Sequence, residues 1–198
     1  MSSISKRIVF VIKTLEYGGA EKHLQELIRR IENPAIRVTI LCYGTDFYTK
    51  FFNDQPNVRV IAKQGGEPRG FLAYWSALLS ARPDTVVLVK GWSEDFAIHT
   101  YASARLSGAR HVVAIEHLLA EPVPPQVVGR GVSAAFRNTW GWRGRFLFKK
   151  RLEGRLCTRI ICVSDGVRKR LVDEYRFPPS KTITILNGVD LKRFSPDA

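Results

Sequence analysis

The chain has 198 residues, with 31 Lys and Arg against 18 Asp and Glu, and a formal net charge of +13. Its 45% hydrophobic and 25% charged residues are the composition of a globular domain that buries a core, which excludes disorder along the whole length. No apolar run approaches the ~20 residues of a membrane span, and Ile8–Ile12, ended by Lys13, is too short for a secretory signal.

In chain order, Arg7–Ile12 reads as a buried strand, short, β-branched and apolar. The turn Tyr17-Gly18-Gly19 leads into a helix over about Ala20–Ile31. Its apolar stripe is Ala20, Leu24, Leu27, Ile28 and Ile31, and Pro34 stops it. The pattern then repeats. Strands are predicted over Ile36–Cys42, Val58–Ala62, Thr85–Val89, His111–Ile115, Arg159–Val163 and Thr182–Leu186. Helices are predicted over Asp46–Asn53, Gly70–Ala81, Glu94–Leu106, Arg143–Leu156 and Asp165–Tyr175. Leu118–Trp142 is a long irregular stretch rich in Pro and Gly. Strands alternating with helices imply an α/β fold, a Rossmann-like parallel sheet of about seven strands with helices on both faces. We expect one domain over residues 1–198, with a basic, aromatic excursion at about 118–158.

The three cysteines, Cys42, Cys157 and Cys162, form no CxxC pair. An odd count without such spacing argues against a disulfide framework and against zinc, and no metal site is expected. Buried thiols of a cytoplasmic protein are the simpler reading.

Ligands of an open α/β sheet bind beyond the carboxyl ends of its strands. The residues that follow the strands are Gly18 and Gly19; Lys90, Trp92 and Glu94; Glu116 and His117; and Asn187 and Gly188. Gly18-Gly19 opens a helix, so backbone N–H groups and the positive dipole end could receive a phosphate or diphosphate; a plain tight turn is the alternative. The spacing is neither GxGxxG nor GxxxxGK[ST], which disfavours a nicotinamide, flavin or P-loop nucleotide site. His117, at a strand end, could bond a sugar hydroxyl or move a proton, or could be structural. His23 and His99 fall inside helices and His111 begins a strand, so they offer less. Lys90, Trp92, Glu94 and Glu116 are candidates for a pocket edge, Glu94 equally for a helix first turn. Ser164 or Asp165 reads as an N-cap.

Four of these segments resemble one family. Tyr17-Gly18-Gly19-Ala20-Glu21 resembles the Gly-Gly loop of retaining family-4 glycosyltransferases of the GT-B fold. Val113-Ala114-Ile115-Glu116-His117 resembles the strand that ends in their active-site histidine. Ile160-Ile161-Cys162-Val163-Ser164 resembles a further strand, and Ile185-Leu186-Asn187-Gly188-Val189-Asp190 with Phe194 resembles the signature ending their N-terminal domain. The resemblance runs from about Arg7 to Pro196. It implies the acceptor lobe of a two-lobed enzyme that takes a sugar from a nucleotide-sugar donor, with no bound cofactor and no catalytic metal. Gly18 and Gly19 would touch the donor diphosphate, and His117 the transferred sugar. In a front-face mechanism the leaving phosphate oxygen takes the acceptor proton, so His117 need not be a base. The donor lobe of the family carries Glu-x7-Glu; no such pair occurs here, and that lobe is expected to be absent, leaving this chain inactive alone.

Residues 121–160 hold net +7 of the +13. Aromatics and cations interleave there, in Arg137, Trp140, Trp142, Arg143, Arg145, Lys149, Lys150 and Arg151. Phe148, Leu152 and Leu156 repeat at helical spacing and are expected to pack on the sheet, with Arg145, Lys149 and Lys150 off that seam. Such a patch suits an anionic membrane surface, placing the protein peripherally on a cytoplasmic leaflet, with a lipid-linked or anionic acceptor. A solvated basic face is the plain alternative. A non-catalytic membrane- or glycan-binding module is another reading. Nucleic acid is disfavoured, since no RNA-binding signature accompanies the charge.

Overall fold

The computed structural model describes residues 6–13, 18–43, 52, 55–62, 70–91, 96–117 and 141–188. Seven strands form one sheet: β1 (Lys6–Ile12), β2 (Ile36–Cys42), β3 (Val58–Ala62), β4 (Thr85–Lys90), β5 (His111–Glu116), β6 (Arg159–Cys162) and β7 (Thr182–Thr184). Every pairing is parallel, in the order β3-β2-β1-β4-β5-β6-β7. The chain therefore starts at the centre, winds outward to β3, and crosses back over to β4. Five α-helices occur among the described residues: α1 (Gly19–Arg29), α2 (Phe71–Ala81), α3 (Ile98–Leu106), α4 (Gly141–Leu156) and α5 (Asp165–Asp173).

Side chains alternate along each strand, so the sheet carries two cores. Phe10, Ile12, Val38, Ile40, Val87 and Val89 meet Ala20, Leu24 and Ile28 of α1. Val9, Val11, Leu41, Val86, Leu88, Val112 and Ile160 face the other way, onto Tyr74 and Leu78 of α2, Tyr101 and Ala104 of α3, and Leu171 of α5. Burial on both faces explains why β1 and β4 read as unbroken apolar runs rather than alternating ones.

The differences from the expected elements have local causes. Helix α1 ends at Arg29 rather than Ile31, because Arg30 and Ile31 donate to the carbonyls of Leu27 and Ile28 in a tightened last turn. Leu27, placed on the buried stripe by its spacing, is 38% exposed. Ser164, not Asp165, caps α5, its Oγ accepting from Val167 N at 3.2 Å. The helix expected over Asp46–Asn53 and the excursion to Trp140 lie outside the described residues, apart from Phe52.

The seam of α4 is the larger correction. Phe148 is 67% exposed, whereas Phe146 and Leu147 pack on the core and Lys150 and Glu153 are buried. The apolar spacing Phe148–Leu152–Leu156 holds at Leu156, which packs on the core, but fails at Phe148, because Lys150 and Glu153 take the inner face and neutralise each other there. At Gly154 the helix presses against a chain segment: a Cβ would lie 3.0 Å from the ring of Phe177 and 3.2 Å from Pro178 Cδ.

Candidate functional site

The carboxyl ends of β1, β4 and β5 converge on one edge of the sheet, where the first turn of α1 also begins. Gly18 precedes α1 in an extended conformation and, lacking a side chain, supplies no cap of its own. A Cβ on Gly18 would run into the Glu21 carboxylate, and one on Gly91 would lie 3.7 Å from Glu21 Oε1. The carboxylate thus folds over the start of α1, where the helix dipole favours negative charge. Among the described residues, a Cβ on Gly19 would meet nothing within 4 Å.

One turn further along α1, His23 reaches the end of β5. Its Nδ1 lies 3.4 Å from His117 Nε2, and the two rings meet edge to face with centroids 5.1 Å apart. Burial lowers the pKa of both. His117 falls to about 4, first through burial and then through the neighbouring His23. At neutral pH the pair is therefore uncharged, and one ring donates to the other. With Nε2 of His117 turned to His23, Nδ1 is the nitrogen left for a ligand. Sequence reasoning passed over His23. Its spacing of four from Gly19 placed it on the glycine side of α1, but its partner stands 94 residues away.

Strand alternation gives the next residue back from His117 the opposite direction. Glu116 points to the α4 side, directly across from Lys90 on β4. Lys90 Nζ donates to Glu116 Oε1 at 2.6 Å and to Glu153 Oε2 at 3.3 Å. Lys150 Nζ and Tyr101 Oη also donate to Glu153 Oε2, at 3.3 and 3.4 Å. Lys90, Glu116, Lys150 and Glu153 are each 1–2% exposed, so two cations and two anions balance inside the protein. Burial raises the pKa of Tyr101 well above its usual value, keeping it a hydrogen-bond donor.

Lys90 and Glu116 therefore do not stand at a solvent-facing pocket edge, as expected, but saturate each other beneath it. Lys150 likewise leaves the basic surface. Lys149 keeps a third of its side chain exposed and lies 3.5 Å from Glu153 Oε1. Arg143, Arg145 and Arg151 are exposed on α4. Trp92, Glu94, Arg137 and Trp140 lie outside the described residues, as does the side chain of Trp142. Among the described residues no three of His, Cys, Asp and Glu gather as metal ligands. Cys157 and Cys162 are buried thiols whose pKa burial pushes up to about 12.

A parallel sheet in this strand order, with a glycine-opened helix and a histidine at its carboxyl edge, defines a Rossmann-like α/β domain of the kind that forms the N-terminal lobe of GT-B glycosyltransferases. The model of the family described as Glycosyltransferase Family 4 matches residues 17–193, and the chain belongs to that family. A glycosyltransferase from Rickettsia africae is 17% identical with a TM-score of 0.64, over 98% of this chain and 46% of its own. The Anabaena protein HepE, solved with UDP and glucose, is 15% identical with a TM-score of 0.61, over 97% and 47%. The lipopolysaccharide outer core galactosyltransferase WaaB is 12% identical with a TM-score of 0.54, over 93% and 46%. The chain thus spans about half the length of these solved structures. No curated protein matches it.

Proposed function

We propose that this chain is the acceptor-side lobe of a retaining glycosyltransferase that uses a nucleotide-sugar donor. The observation that carries the reading is the placement of His117 beside the glycine start of α1, held there by His23. Backbone N–H groups at Gly18 and Gly19 receive the donor diphosphate, displacing the Glu21 carboxylate from the helix start. His117 Nδ1 donates to a hydroxyl of the transferred sugar. This requires the tautomer in which His23 Nδ1–H donates to His117 Nε2, so His23 selects the useful form of its neighbour. A pKa of about 4 makes His117 a weak base at neutral pH, which suits a hydrogen-bonding role and leaves the leaving phosphate oxygen to take the acceptor proton. HepE was solved with UDP and glucose, which supports a UDP-sugar as the first donor to try.

The nucleotide-sugar pocket is completed by a second lobe, in keeping with the half-length match to the solved structures. Residues 1–198 alone are expected to give no transfer from UDP-glucose, measured by release of UDP. Robust turnover by this chain alone would sink the two-lobe reading. In the protein carrying both lobes, His117→Ala is expected to lower kcat at least tenfold; unchanged turnover would remove His117 from the mechanism.

The acceptor reaches this lobe at a membrane. Arg145, Phe148, Arg151 and Arg155 are exposed along α4, setting an apolar ring between cations. That is the composition of a helix lying on an anionic cytoplasmic leaflet, and it supports a lipid-linked acceptor over a freely soluble one.

A further inference from the structure

At the opposite edge of the sheet, where β1, β2 and β3 begin, lies a concavity of about 630 Å³ lined by Arg7, Arg37, Thr39, Asn57, Arg59 and Ser80, among others. Arg7 stands directly across from Arg37, and Thr39 across from Arg59. Strand parity therefore sends all three guanidinium side chains to one face, the face that carries α2. Neighbouring strands lie ~4.8 Å apart, so Arg7 and Arg37 are as close as two side chains of a parallel sheet can be placed. Like charges directly opposite each other destabilise a sheet, so this arrangement calls for an anion. Asp84 supplies one: its Oδ2 accepts from Arg7 N at 2.8 Å and from Arg7 Nε at 3.5 Å. Among the described residues Arg37 and Arg59 have no acidic partner.

We propose that this concavity binds a small phosphate-bearing anion, at a site separate from the His117 edge. Guanidinium forks bind phosphate oxygens in pairs, and the Thr39 hydroxyl and the Asn57 amide offer further donors in the same wall. The volume lies within the range of small-molecule sites, larger than a single phosphate needs. The ligand is thus a phosphorylated molecule rather than a bare ion.

Calorimetric titration of the purified protein with pyrophosphate and with glycerol 3-phosphate tests this, comparing wild type with Arg37→Gln/Arg59→Gln. Both arginines are exposed and Arg37→Gln relieves a like-charge pair, so the variant is expected to melt no lower than the wild type does; Arg59→Gln alone, on the edge strand, serves if the double variant unfolds. The start of α1 is a second anion site under the transferase reading, so the informative quantity is the difference between proteins. The variant is expected to lose one bound equivalent or bind it at least tenfold more weakly. Arg143→Gln/Arg145→Gln, which removes the same charge from α4, is expected to bind as the wild type does. Vesicles containing phosphatidic acid separate the sources: capture that depends on Arg37 and Arg59 assigns a lipid headgroup, and binding of the soluble ligands alone assigns a free phosphate ester. Identical binding by wild type and Arg37→Gln/Arg59→Gln would overturn the site. Equal loss in the α4 variant, or no binding by the wild type at millimolar ligand, would overturn it as well.

Discussion

His117 and His23 show how one contact fixes a proton. Two neutral imidazoles 3.4 Å apart must divide donor and acceptor roles between them, and that division decides whether His117 Nδ1 carries the proton. The unfolded chain protonates this histidine near pH 6.5, and the folded chain only near 4. Between those values the unfolded state holds more protons. His117 therefore contributes stability that is complete above about 6.5 and lost as the pH falls toward 4. Imidazole resonances followed by NMR are expected to show His117 still neutral at pH 5.5; titration at 6.5 would contradict the burial assigned to it. In the two-lobed protein, His23→Asn is expected to lower kcat by about three- to tenfold, the value of one net hydrogen bond. It should also move the acid limb of the pH profile upward, because His117 becomes more accessible to water. A loss of stability with an unchanged profile would make His23 merely structural.

Among the elements, α4 has the most informative two faces. Its inner face holds Lys150 and Glu153 against Lys90 and Glu116, the last residues of β4 and β5. Because Glu116 and His117 are consecutive and point to opposite faces, the network that anchors α4 also anchors the backbone beneath the histidine. Buried pairs of this sort add little net stability but are costly to break singly. Glu153→Gln removes the negative charge shared by Lys90, Lys150 and Tyr101, and is expected to cost about 3–5 kcal/mol, read as a lower urea midpoint. Replacing Lys150 and Glu153 together by Met and Leu should recover part of that loss; equal loss in both variants would show that packing rather than charge balance governs the site. The network was not legible in the sequence. Lys150 and Glu153 sit among cations in a helix whose apolar spacing pointed to Phe148, and only Lys90 and Glu116, brought together by the β4–β5 register, explain why they turn inward.

For the molecule as a whole, the exposed positive charge falls on separate surfaces. Lys150 lies inside, so the surface patch is carried by Arg143, Arg145, Arg151 and Arg155 around the exposed Phe148. Sedimentation with vesicles rich in anionic lipid is expected to capture the wild type. Arg143→Gln/Arg145→Gln/Arg151→Gln should weaken capture at least tenfold, from about 1 kcal/mol per cation before screening. Capture unaffected by these changes, or insensitive to salt, would remove α4 from the membrane reading. Three arginines line a separate concavity at the far edge of the sheet, so the excess is not confined to α4.

The sequence by itself determined the alternation of strands and helices, the parallel sheet, and the position of Gly18, Gly19 and His117 at strand or helix ends. These follow from local apolar runs and turn residues, whose effects reach only a few positions along the chain. Tertiary structure decided what those residues meet. Strand order brought α1 to the end of β5 and gave His117 its partner. Register set Lys90 against Glu116 and Arg7 against Arg37. Packing turned Lys150 inward and Phe148 outward. Each depends on residues tens of positions apart, where desolvation and charge balance outweigh the periodicity of any one element.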